Sequence, residues 1–172
     1  MKRLRNYEVI LTTVQCGHSE VLKVLLDDVT DTITDLVDWK TIRTAACRSN
    51  IEMIKYFEQK LDGHLFEDLL AKMDPRYGTV FHNLAARGQI EMLKYLCQTS
   101  SGFSRNPIQK NRLGRTLIHD AAEEGHLEIV KLLASYTSNP NSPDKEGLTP
   151  SEFARSKGFL DIYAYLSKFS HS

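Results

Sequence analysis

Apolar residues fall in short helical clusters along the chain: Leu22, Leu25 and Leu26; Ile54 and Phe57; Leu93 and Leu96; Ile129, Val130, Leu132 and Leu133; Ile162 and Leu166. The spacing i, i+1, i+3, i+4 places each cluster on one face of a helix, with Glu and Lys on the other. Ahead of most clusters lies a second pattern, a stretch of small residues such as Ala45-Ala46, Ala85-Ala86 or Ala121-Ala122. Small residues let a neighbouring helix approach closely. A Gly or Ser follows, which ends that helix because its last position commonly needs positive φ. The pattern predicts pairs of short helices, and polar turn-formers such as SNPNSPDKEG separate the pairs.

The pairs repeat. GRTLIHDAAEEGHLEIVKLL, Gly114 to Leu133, matches GLTPSEFARSKGFLDIYAYL at an offset of 33 and GTVFHNLAARGQIEMLKYL at 37. TIRTAACRSNIEMIKYF and ILTTVQCGHSEVLKVLL are earlier, weaker copies, so five units emerge, spaced by about 32, 39, 37 and 33 residues. One such helix pair cannot bury its apolar face alone, so the units must stack on one another.

With its turn, T-P-L-H-like tetrad, Ala pair, Gly-His break and leucine-rich second helix, this unit resembles the ankyrin repeat. The resemblance covers residues 4 to 168, most fully in the fourth and fifth units. Leu11 and Arg43 replace the tetrad histidine in the first two, and Ser49 replaces the glycine. It implies an all-α solenoid of about five helix-turn-helix repeats with short β-turn or hairpin connections. The expected repeats are 3–34, 35–73, 74–110, 111–143 and 144–172, forming a single domain. His82 and His119 become structural tetrad residues bonded to threonine-bearing turns. In the fifth unit Ser151 and Glu152 break the tetrad, as an end repeat might.

The resemblance also implies a non-enzymatic module that binds another protein through turn tips and the exposed ends of first helices. Carried onto this chain, those positions are Trp39, Arg48, Arg76, Arg87, Arg112, Leu113, Arg115, Glu123, Glu124, Lys145, Leu148 and Lys157. Arg48, Arg87 and Glu124 hold equivalent places in consecutive units. An arginine-rich groove suits an acidic partner segment, because the guanidinium fork holds carboxylates in bidentate fashion. The alternative is a solvated surface on which Glu123 and Glu124 neutralise the arginines. The role expected is adaptor or inhibitor. The alternatives are a substrate-recognition subunit of an enzyme assembly and an IκB-like inhibitor of a transcription factor.

Charge and chemistry narrow the picture further. Lys plus Arg and Asp plus Glu stand at 22 each, so nothing argues for nucleic acid. No apolar stretch is long enough to cross a bilayer, and the amino-terminal residues lack a signal peptide's hydrophobic segment. Cys16, Cys47 and Cys97 form no paired motif, which suits a reducing compartment, cytoplasmic or nuclear. Neither HExxH nor a phosphate-cradling glycine loop occurs, so no catalytic residue, metal or cofactor is expected, and the chain is expected to be monomeric. Two junctions are longer than the rest. KLDGHLFEDLLAKMDPR carries Leu65, Phe66, Leu69 and Leu70 and predicts an extra helical turn; QTSSGFSRNPIQKNR reads as an exposed loop. Phe103 in that loop either meets a partner or tucks back, and the second is favoured.

Overall fold

The computed structural model describes residues 2–27, 33, 36–75, 78–106 and 109–169. Within them the chain forms two compact units, Met1–Lys72 and Met73–Ser172.

The first unit contains α1 (Lys2–Cys16), α2 (Ser19–Asp27), α3 (Trp39–Cys47), α4 (Ile51–Lys60) and α5 (Gly63–Ala71). First helices α1 and α3 pack together, and α2 packs on α4. The expected apolar faces point inward: Leu22, Leu26, Ile54 and Phe57 are buried, while Leu25 is half-buried. α5 is the extra element predicted between repeats, and it buries Phe66 and Leu70. Ser49 stops α3 at φ 55, the one non-glycine among the described residues with positive φ. The second repeat starts differently from its relatives. Its N-cap is Asp38, which accepts the Thr41 N–H at 2.9 Å and a hydroxyl hydrogen bond from Tyr7 at 3.1 Å. With an Asp cap available, α3 begins two residues earlier than the repeat register predicts, and Trp39 becomes its first helical residue.

The second unit contains α6 (Val80–Ala86), α7 (Ile90–Thr99), α8 (Ser101–Arg105), α9 (Leu117–Glu123), α10 (Leu127–Ala134), α11 (Pro150–Lys157) and α12 (Leu160–Leu166), ending in a 3-10 turn, Ser167–Phe169. First helices α6, α9 and α11 pack side by side, and α10 packs on α12. Leu93, Leu96, Ile129, Val130 and Leu133 are buried as the pattern predicted; Leu132 is half-buried. Antiparallel bridges Asp74–Gly78 and Lys110–Thr116 close the hairpin turns ahead of α6 and α9.

One expectation needs correction. The 98–110 junction is not simply an exposed loop, because Ser100 caps a short helix, α8, by accepting the Phe103 N–H at 3.2 Å. Phe103 is fully buried between Phe81 and Tyr136, each with its ring centroid 5.2 Å away. A buried phenylalanine contributes a few kcal/mol, which holds the segment against the stack.

Candidate functional site

The turns of the second unit are built from the inside. Asn111 Oδ1 accepts the N–H groups of Leu113 and Arg115 at 2.9 and 3.1 Å. Asp144 Oδ1, the equivalent atom one repeat later, accepts those of Glu146 and Leu148 at 2.9 and 3.1 Å. Side-chain oxygens thereby satisfy turn donors that no strand pairs. The Lys145 N–H donates to the Leu113 carbonyl at 3.0 Å and fixes one turn tip against the next.

The tetrad histidines then tie turn to helix and repeat to repeat. The N–H groups of Thr79 and Thr116 donate to Nδ1 of His82 and His119 at 3.2 and 3.0 Å. The proton therefore sits on Nε2, which donates to the Arg115 carbonyl from His82 (3.3 Å) and to the Leu148 carbonyl from His119 (3.1 Å). Burial pushes both imidazoles down to about 4, so they are neutral. His126 adds a link the sequence did not announce: its Nε2 donates to the Ala86 carbonyl, 3.1 Å away in the preceding repeat. All three histidines serve architecture.

Arg115 is half-buried, and its charge is already used. Its Nη1 donates to Glu123 Oε2 at 2.9 Å and its Nε lies 3.5 Å from Asp144 Oδ2. The guanidinium carbon sits 4.1 Å from the Phe153 ring centroid. Glu123 also faces Lys157 at 3.9 Å. Burial would raise the Asp144 carboxyl, but N–H donors from Leu148 and Glu146, with His119 and Arg115 nearby, hold it below its usual range. Asp120, on the same helix as Glu123, is half-buried, and loss of hydration pushes its carboxyl up to about 7; Arg115 opposes that rise, while Glu123 and Glu124 add to it.

The other expected residues divide by location. Arg87, Arg112, Glu124, Lys145 and Lys157 are exposed. Leu113 is 53% exposed and Leu148 39%. Among the described residues, no ion pair involves Arg87, Arg112 or Lys145. Trp39 and Arg48 belong to the first unit. Arg48 is exposed; Trp39 is half-buried, and the Arg43 guanidinium lies 4.7 Å from its ring centroid. Arg76 lies outside the described residues.

Among the described residues no group of three His, Cys, Asp or Glu side chains could hold a metal, and no helix is long and apolar enough to cross a membrane. Burial pushes the Cys97 thiol up to about 12, which makes it a poor nucleophile.

Stacked helix pairs, capped by threonine–histidine boxes and joined through hairpin turns, define a helical repeat protein. A family model for ankyrin repeats in three copies matches residues 59–144 and 81–171, and the chain belongs to the ankyrin repeat family. Among curated proteins it is similar to the Notch-regulated ankyrin repeat-containing protein of Xenopus tropicalis, 28% identical over 57% of this chain and 89% of that one. It is also similar to human protein phosphatase 1 regulatory subunit 27, 42% identical over 31% of this chain and 34% of that one. The human espin-like protein is 37% identical over 35% of this chain, and the match spans 6% of its length. A mouse liver glutaminase isoform is 41% identical over 34% of this chain, and its match spans 9% of that enzyme. The chain thus spans only a small part of these last two relatives. Ankyrin repeats mark it as a protein–protein interaction module.

Proposed function

We propose that this chain recruits or restrains a partner protein through its turn tips and first-helix ends, as an adaptor or inhibitor without catalytic activity of its own. The observation that carries this reading is the exposed set Arg87, Arg112 and Lys145, none of them ion-paired among the described residues, on repeats whose backbone is internally bonded. A pre-ordered surface costs little entropy on docking, and free cations suit an acidic segment of the partner. Arg115 drops out of the contact set in this reading because Glu123, Asp144 and Phe153 hold it. Trp39, Arg48, Glu124 and Lys157 remain contact candidates, with Arg76 beside them on sequence grounds alone. In this reading the protein is monomeric and works in the cytoplasm or nucleus.

A second reading makes the chain the recognition subunit of an enzyme assembly. The similarity to a regulatory subunit of protein phosphatase 1 supports it. Capture from cell lysate with the wild type and with a variant carrying Arg48→Glu, Arg87→Glu and Arg112→Glu tests the first reading. A partner held by the wild type and lost by the folded variant supports it. Equal capture by both overturns a role for these arginines. An enzyme recovered with the wild type favours the second reading.

A further inference from the structure

We infer that the paired turn tips at 111–116 and 144–149 form an apolar docking surface with a basic rim, whose occupant is a partner segment carrying an apolar side chain next to a carboxylate. The inference rests on the protein-binding reading above and narrows it to one surface and one ligand chemistry.

Three observations converge on these tips. First, the leucines are in the wrong place for a core: Leu113 is 53% exposed and Leu148 39%, in a unit that fully buries Leu84, Leu93, Leu96, Leu117, Leu133 and Leu166. Isolated exposed leucines are ordinary, but these two stand on turns joined directly by the Lys145 N–H to Leu113 carbonyl bond of 3.0 Å. Lys145 adds to the apolar area. Its stem crosses Gly114 so closely that a Cβ there would meet Lys145 Cγ at 2.9 Å, and the residue as a whole is exposed.

Second, the turn amides are occupied. Asn111 takes the N–H groups of Leu113 and Arg115, and Asp144 takes those of Glu146 and Leu148. Recognition at the tips therefore falls to side chains on a rigid frame.

Third, the charges are sorted by depth. The inner arginine, Arg115, is neutralised by Glu123 and Asp144, and the Asp144 side chain is only 1% exposed. Arg112 and Lys145 remain at the tips, exposed and outside every ion pair among the described residues, with Glu146 the nearby exposed acid. Two cations against one carboxylate bordering an apolar centre complement a segment that is apolar and acidic.

The test is selection of a random displayed-peptide library on the whole chain, followed by affinity measurement of the enriched peptides. The expected result is a consensus with an apolar residue beside Asp or Glu. Its binding should weaken about tenfold in Leu113→Ser and in Leu148→Ser, the loss of one good anchor. Arg112→Glu with Lys145→Glu should weaken it similarly. All four positions are exposed, and an unchanged far-ultraviolet spectrum and melting curve verify the fold. Enriched peptides without acids, or peptides that ignore these substitutions and respond to Arg87→Glu or Arg48→Glu, overturn the inference. The second of those outcomes leaves the protein-binding reading intact. Failure to enrich any sequence also overturns the inference, whereas the broader reading is judged separately by lysate capture.

Discussion

Glu152 holds in the fifth repeat the place that His119 holds in the fourth. Each accepts the N–H of a threonine three residues earlier, Thr149 to Glu152 Oε2 at 2.7 Å and Thr116 to His119 Nδ1 at 3.0 Å. Only the imidazole has a second nitrogen, and it donates to the Leu148 carbonyl of the following repeat. The break in the tetrad at Ser151 and Glu152 is therefore a change from a cap that links repeats to one that serves its own helix, within a complete capping box.

That difference makes the second unit sensitive to acid. His82 and His119 have folded values near 4, below the ordinary 6.5, so the unfolded chain binds more protons between those limits. Their contribution is complete above the unfolded value and is lost as pH falls through the window, by about 2 kcal/mol per imidazole at about pH 5. Urea unfolding followed between neutral and mildly acid pH should give a falling midpoint. Replacing both histidines with Asn should flatten the histidine part of that dependence while lowering stability at neutral pH.

Asp120 acts in the opposite sense. Its folded value near 7 lies above the ordinary 3.8, so the native state loses stability as pH rises through that interval. Asp120→Asn should raise stability at neutral pH by about 1 kcal/mol, allowing for the water that reaches a half-buried group, and should do nothing in strong acid. The comparison is a pair of melting curves above and below the window. A variant no more stable than wild type at neutral pH would show that Asp120 carries no desolvation cost.

Arg115→Met keeps an unbranched chain of similar length over Phe153 and removes the charge. Glu123 and Asp144 then lose their shared cation, and stability should fall by about 1–2 kcal/mol, between the values for surface and buried pairs. If Arg115 were chiefly a partner contact, the unfolding midpoint would not move.

Glycines at the ends of first helices separate backbone cost from packing cost. Gly88 has φ 70, and a Cβ there would lie 2.7 Å from Cε1 of His126, whose ring is tethered to the Ala86 carbonyl. Gly158 has φ 86 with nothing within 4 Å. Gly158→Ala should cost about 1 kcal/mol for the left-handed conformation, and Gly88→Ala about 1–3 kcal/mol more for the clash. Equal losses in denaturant titrations would mean that His126 moves aside without penalty.

Much of this was legible along the chain. Period, helix pairs, the positive-φ stops at Ser49 and the glycines and the buried stripes follow from local spacing, and the resemblance to the ankyrin repeat implied the capping roles of His82 and His119. The extra helix α5 was visible in Leu65, Phe66, Leu69 and Leu70. α8 was missed because Ser, Gly, Asn and Pro dominate its segment, and its order depends on Phe103 finding Phe81 and Tyr136, residues distant in sequence. The start of α3 is set locally by Asp38, whose side chain accepts the Thr41 N–H, in place of the threonine–histidine box of the third and fourth repeats.

The candidate surface was less legible still. The repeat period, read with the resemblance to the ankyrin repeat, implied which positions would occupy turn tips and helix ends. Sequence could not determine which of those charges are free, since Arg87, Arg112 and Arg115 are the same residue type in similar contexts. Tertiary structure decided that: Arg115 meets Glu123 of its own repeat and Asp144 and Phe153 of the next, while Arg112 meets no charged partner among the described residues. The physical reason is that a side chain's charge is available to a partner only when folding has not already neutralised it, and neutralisation depends on distances between repeats that no single repeat encodes.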